Sequence, residues 1–137
     1  MTSSTRSSTL SPENAVRDVL DRAMAAWANN DPDGFTACYA DEVSVILTGG
    51  AYHRTKSQVH DYMASGFAGP MKGSKGIDKP ESIRILGNDA AIVVSLSGFQ
   101  LPNESEVPED RLRRATWVLV KQRGEWKITS YHNCPLK

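Results

Sequence analysis

The chain has 137 residues, enough for one domain with its own core and no need of metal or disulfide staples. Lys plus Arg and Asp plus Glu each number 16, so the formal net charge is zero and nothing electrostatic favours nucleic acid or an anionic membrane as partner. Cys38 and Cys134 are too few for a disulfide framework and read as reduced thiols of a cytoplasmic protein.

Residues 1–10, MTSSTRSSTL, carry one charge and no apolar run, so they read as a disordered lead-in and not as a signal peptide or anchor. Residues 11–137 are expected to form one domain. Ser11-Pro12-Glu13 has the form of an N-cap, a first-turn proline and a first-turn acid. Val16, Val19, Leu20, Ala23, Met24 and Trp27 then recur at helical spacing. Asn29 to Gly34 stop that helix, and a second one can start from Asp31 or Asp33, placing Phe35, Cys38 and Tyr39 on one face. Val43, Val45 and Leu47 mark a short strand that ends at the turn Thr48-Gly49-Gly50. Thr55 is an N-cap for a third helix of about three turns ending near Gly66, and Val59, Tyr62, Met63 and Phe67 supply its buried face. The Gly- and Lys-rich segment from Gly66 to Gly76 reads as a mobile crossing able to act as a lid or rim.

Strands follow. Ile77 to Leu86, broken by Lys79-Pro80, reads as a bent edge strand, and Ala90 to Leu101, apolar on both faces, as a central one. Pro102 to Asp110 is an acidic surface loop, after which Leu112–Gln122 and Glu125–Asn133 pair as a hairpin around Arg123-Gly124. Helices first and antiparallel strands afterwards define an α+β domain.

The run Trp27, Asp31, Asp33, Gly34, Phe35, Tyr39, Ala40, Asp41, Glu42, Val43 resembles the opening of the NTF2-like superfamily, in its SnoaL-like branch. The resemblance implies a cone-shaped roll, with three N-terminal helices packed on a strongly bent, mainly antiparallel sheet that encloses a pocket. Within it, Thr48 to Lys56, Phe67 to Ser74 and the terminal W-K-I-T-S-Y-H-N from Trp126 to Asn133 are most similar to the SgcJ/EcaC-type proteins of enediyne antibiotic biosynthesis. Set against the ketosteroid isomerase pattern, Ala23 stands where that family has its oxyanion tyrosine and Leu47 where it has its base aspartate. The steroid isomerase mechanism is thereby lost, and no buried carboxylate is evident as a replacement.

Period two along the last strand places Trp126, Ile128, Ser130 and His132 on one face and Lys127, Thr129, Tyr131 and Asn133 on the other. With Trp126 and Ile128 inward, His132 points into the cone near its mouth, where an imidazole exchanges protons near neutral pH. Tyr39 would donate a hydrogen bond to a developing enolate. Trp27, Phe35, Tyr52, Phe67, Trp126 and Asn133 are the expected ligand-binding set. His53 and His60 read as solvated, and the three histidines lack metal-ligand spacing, so no metal and no cofactor is expected. Trp117, Leu119 and Tyr131 could face outward as the patch of a homodimer formed through the convex sheet.

The leading expectation is a small protein that binds an apolar, polyketide-derived intermediate and catalyses a proton-transfer isomerisation or cyclisation. The alternative is a non-catalytic carrier of a reactive polyene, or an accessory partner of a polyketide synthase. A scaffold that uses the convex sheet is a third reading, which a bare Trp117 patch would favour.

Overall fold

The computed structural model describes residues 10–136. The lead-in expected over residues 1–10 therefore lies, apart from Leu10, outside the described residues.

Ser11 caps α1 (Pro12–Ala28) by accepting from the Asn14 amide at 3.1 Å, and Val16, Val19, Leu20 and Ala23 form its buried stripe. Asp31 caps the short α2 (Pro32–Thr36) through the Gly34 amide at 3.0 Å. The strands β1 (Tyr39–Ile46) and β2 (Tyr52–Thr55) make a hairpin across the two left-handed glycines Gly49 and Gly50. Thr55 then caps α3 (Lys56–Ala68). After it come β3 (Lys75–Leu86), β4 (Ala90–Gln100), a 3-10 turn (Glu109–Arg111), β5 (Arg113–Gln122) and β6 (Glu125–Pro135). The sheet order is β2-β1-β6-β5-β4-β3, antiparallel throughout except for the parallel β1–β6 pair. The helices close one face of this curved sheet, as expected of an NTF2-like α+β fold. Pro80 lies beside a register shift on the edge strand β3, where its missing N–H is tolerated, and Arg123 and Gly124 turn the terminal hairpin with positive φ.

Four expectations change. Tyr39 is not on the second helix: it opens β1 and pairs with Ile128, because α2 ends at Thr36. Residues 52–55 form a strand and not a lead-in to a helix.

The glycine-rich crossing is tied down and not loose. Met71 donates its amide to the Gly66 carbonyl at 2.7 Å, and Ser74 is fully buried. The Trp27 indole donates to Ser74 Oγ at 2.9 Å, and Asn30 donates its amide to the Ser74 carbonyl at 2.9 Å while accepting from Gly73 N at 2.6 Å. Asn30 does this from a left-handed conformation, φ 51°, which its short amide side chain tolerates.

Trp117 and Leu119 do not face outward. They are 2% and 0% exposed and belong to the core between sheet and helices, so the bare patch that would have favoured a scaffold is absent.

Gly76 passes directly under Trp27, where an added Cβ would sit 2.8 Å from the indole ring. With the ring already fixed by Ser74, it has no room to yield. Gly76→Ala is expected to cost about 1–3 kcal/mol of stability, read as a lower urea midpoint with an unchanged m-value.

Candidate functional site in the cone

The concave face holds a cavity of about 200 Å³ between the sheet and the helices. Its inner part is apolar: Trp27 stacks on Phe99 with centroids 6.1 Å apart and meets Phe35 edge-on at 5.7 Å, with Met24, Val59 and Met63 completing the wall. Toward the open ends of β1, β5 and β6 the lining turns polar, with Thr48, Arg113, Tyr131 and Asn133.

What decides this polar rim is a bulge in β6. Leu119 pairs with Ile128 but Val118 pairs with Ser130, so β6 carries one residue more than β5 at this point. The extra residue reverses the alternation. Trp126 and Ile128 face the core, as expected, but beyond the bulge Tyr131 and Asn133 turn inward and His132 is exposed. The placement of His132 inside the cone is thus corrected.

Of the residues expected to bind a ligand, Trp27, Phe35 and Asn133 line the cavity together with Tyr39. Phe67 and Trp126 are buried in the core without lining it, and Tyr52 is 55% exposed, with Arg54 over its ring at 6.0 Å. Tyr39 is 2% exposed, burial pushes its hydroxyl pKa well above the usual 10, and no described residue hydrogen-bonds that hydroxyl.

Sequence reasoning missed three groups. His53, paired across β1 with Val45 and so in register with Tyr131, lines the cavity against Tyr62 at 4.9 Å. Its Nε2 is shielded from solvent and has no hydrogen-bond partner among the described residues. His60, by contrast, is the surface residue expected, bonded through Nε2 to Asp33 at 2.7 Å.

The second missed group is Asp78, a largely buried carboxylate. It accepts from the Trp117 indole and from Ser95 Oγ, each at 2.9 Å, and burial pushes its pKa up against the pull of these donors and of Ser97. Ser97 also meets the Tyr131 hydroxyl at 3.4 Å, which accepts from Asn133 Nδ2 at 3.0 Å; Asn133 Oδ1 in turn accepts from the Thr48 amide and hydroxyl at 2.8 and 2.9 Å. Polar side chains from Asp78 to Thr48 therefore form a stripe across the concave face of the sheet. The third is Arg113, which lines the cavity from the start of β5. Asp, Glu, His and Cys side chains form no cluster able to hold a metal among the described residues, and no described helix is long and apolar enough to cross a membrane.

Residues 16–135 match the family model described as a SnoaL-like domain. No curated protein matches the chain. Among solved structures, a domain of unknown function with a cystatin-like fold from Nostoc punctiforme is similar, with a TM-score of 0.83 at 19% identity over 91% of this chain and 77% of that one. An NTF2-like protein from Novosphingobium aromaticivorans has a TM-score of 0.81 at 14% identity, covering 98% and 88%. A putative calcium/calmodulin-dependent protein kinase II association domain from Xanthomonas campestris has a TM-score of 0.72 at 24% identity, covering 88% and 85%. At these identities the likeness is one of fold.

Asp78→Ala leaves the Trp117 indole N–H and Ser95 without their acceptor and is expected to cost about 1–3 kcal/mol. Because the folded-state pKa of Asp78 lies above its ordinary 3.8, its contribution is full below 3.8 and is lost as pH rises through the folded value. Urea unfolding of the wild type and Asp78→Asn from about pH 3 to about pH 8 should show the wild type losing ground to the variant over that interval.

Proposed function

The chain belongs to the SnoaL-like domain family, and from that footing we propose that it binds an apolar, polyketide-derived small molecule in the cone and moves a proton on it. The observation that carries this is an aromatic cavity lined by His53, whose Nε2 is buried without a hydrogen-bond partner among the described residues. Leaving such an atom unpaired costs about 1–3 kcal/mol, and a ligand group that bonds it once the ring turns toward the cavity recovers the loss. An imidazole facing the ligand is a general acid or base, so the acid/base role passes from His132 to His53. Tyr39, held protonated by burial and with its hydroxyl unused by the protein, donates a hydrogen bond to the oxyanion of an enolate as it forms.

The volume limits the ligand. About 200 Å³ is below the roughly 300–1,000 Å³ of drug-sized sites, so one ring or a short polyene segment enters and any longer remainder stays at the mouth. A role in enediyne-type antibiotic biosynthesis rests on the three segments that resemble the SgcJ/EcaC-type proteins, the first of which contains His53. A second reading, a carrier that shields a reactive polyene or serves a synthase, is favoured by Ala23 and Leu47, which put no functional group where the ketosteroid isomerases place theirs. Ile92, Val94, Leu96, Val118 and Val120, half-buried on the convex side of β4 and β5, support pairing of two copies through that face.

Titration with a panel of short polyenes and aromatic polyketides, followed by NMR, should shift the His53 imidazole and the Trp27 indole and leave His132 unmoved. Shifts confined to His132, or none with any ligand, sink the cavity reading. If a bound enone exchanges its α-protons with D2O, the protein is catalytic, and His53→Gln should slow that exchange by about 10²–10⁴-fold; binding without exchange identifies the carrier. Light scattering of Val118→Asp is expected to report a monomer where the wild type is a dimer.

A further inference from the structure

Two arginines line the cavity and no Asp or Glu does. Arg111 is already matched: it bonds Glu104 through both carboxylate oxygens and lies 4.8 Å over the Phe99 ring. Arg113 is different. Its Nη1 donates to the carbonyls of Asp110 and Leu112 at 2.9 and 3.0 Å, and no described carboxylate reaches it within ion-pair distance. Its neighbour Arg114 points to the other side of the sheet and pairs with Glu81. In register, Arg113 lies opposite Ser97 and Ser97 opposite Asp78, but the Asp78 oxygens are committed to Trp117 and Ser95. The two bonds at Nη1 anchor the guanidinium to the backbone, and Nη2 and Nε make no hydrogen bond to the described residues. A half-buried, anchored cation with no carboxylate among the described residues, at the rim of an apolar cavity, is a site for one anion.

We propose that Arg113 holds the carboxylate of the ligand at the cavity mouth, so that the substrate class is a short unsaturated monocarboxylic acid, or a longer chain ending in one. This deepens the cavity reading and rests on it. The carboxylate takes the two free guanidinium donors, and the second N–H of Asn133 Nδ2, whose first is given to Tyr131, lies on the same rim. The apolar tail then runs inward over Trp27, Phe35 and Phe99. A phosphate would carry more negative charge than the single unmatched arginine, whereas a monocarboxylate balances it.

The test is calorimetric titration of the full chain with sorbate and with its neutral analogue 2,4-hexadienol, at low and high salt. Sorbate is expected to bind more tightly by about tenfold, or about 1.4 kcal/mol, with the advantage shrinking in salt. Arg113→Gln should reduce the ratio to about one and Arg113→Lys should restore part of it, with thermal melts of both variants confirming folded protein. An alcohol bound as tightly as the acid, or a preference that survives Arg113→Gln, overturns the proposal while leaving the cavity reading standing. If neither compound binds, both fall.

Discussion

One extra residue in β6 determines which groups the cone can use. Without the bulge between Ile128 and Ser130, the strand that keeps Trp126 and Ile128 in the core would send His132 inward and turn Tyr131 and Asn133 out to solvent. With it, the same strand supplies apolar packing at one end and polar side chains at the other. The Tyr131 ring lies 4.3 Å from that of Trp117, whose indole holds Asp78, and Asn133 secures the end of β1 through Thr48. The hydrogen bonds that cross the concave face are thus consequences of a local backbone irregularity, and the rigidity of the rim follows from it.

The opposite wall is held by a different device. Trp27, Asn30 and Ser74 tie the end of α1 to the segment entering β3, and Gly76 leaves the space in which the indole lies. The indole is therefore both a wall of the cavity and part of the joint between helix and sheet. A side chain fixed in both ways offers a preorganised surface, which keeps the entropic cost of binding a flat apolar ligand low. Tyr39 shares this property from the sheet side, since its strand is held between β2 and β6.

Helix caps and apolar spacing made α1, α3 and the strands β3 to β6 readable from sequence, because these signals are local. The site was less readable, for reasons that are also local. No residue type in Ile128-Thr129-Ser130 marks a bulge, so strict alternation led to His132. β2 has four residues, too few to show a pattern, and His53 lies between the exposed Tyr52 and Arg54. Asp78 stands beside Lys79-Pro80 with nothing local to mark it as buried; the indole that holds it, Trp117, is 39 positions away in the chain. Arg113 and Arg114 look alike until the strand sends one to each face. The aromatic half of the cavity, Trp27, Phe35 and Tyr39, was accessible because the D-x-D-G-F turn identifies the family.

The position of β6 also bears on how the molecule is assembled. The last described strand is an interior strand of the sheet, hydrogen-bonded to β1 on one side and β5 on the other. Until residues 125–135 have left the ribosome, the β1–β2 hairpin and the β3–β4–β5 unit are two fragments, each with an open edge, and α1 has an incomplete surface to cover. Closure of the sheet is then a late, long-range step that joins the two ends of the fold, the kind of topology that slows folding and leaves strand edges open to other chains in the interval.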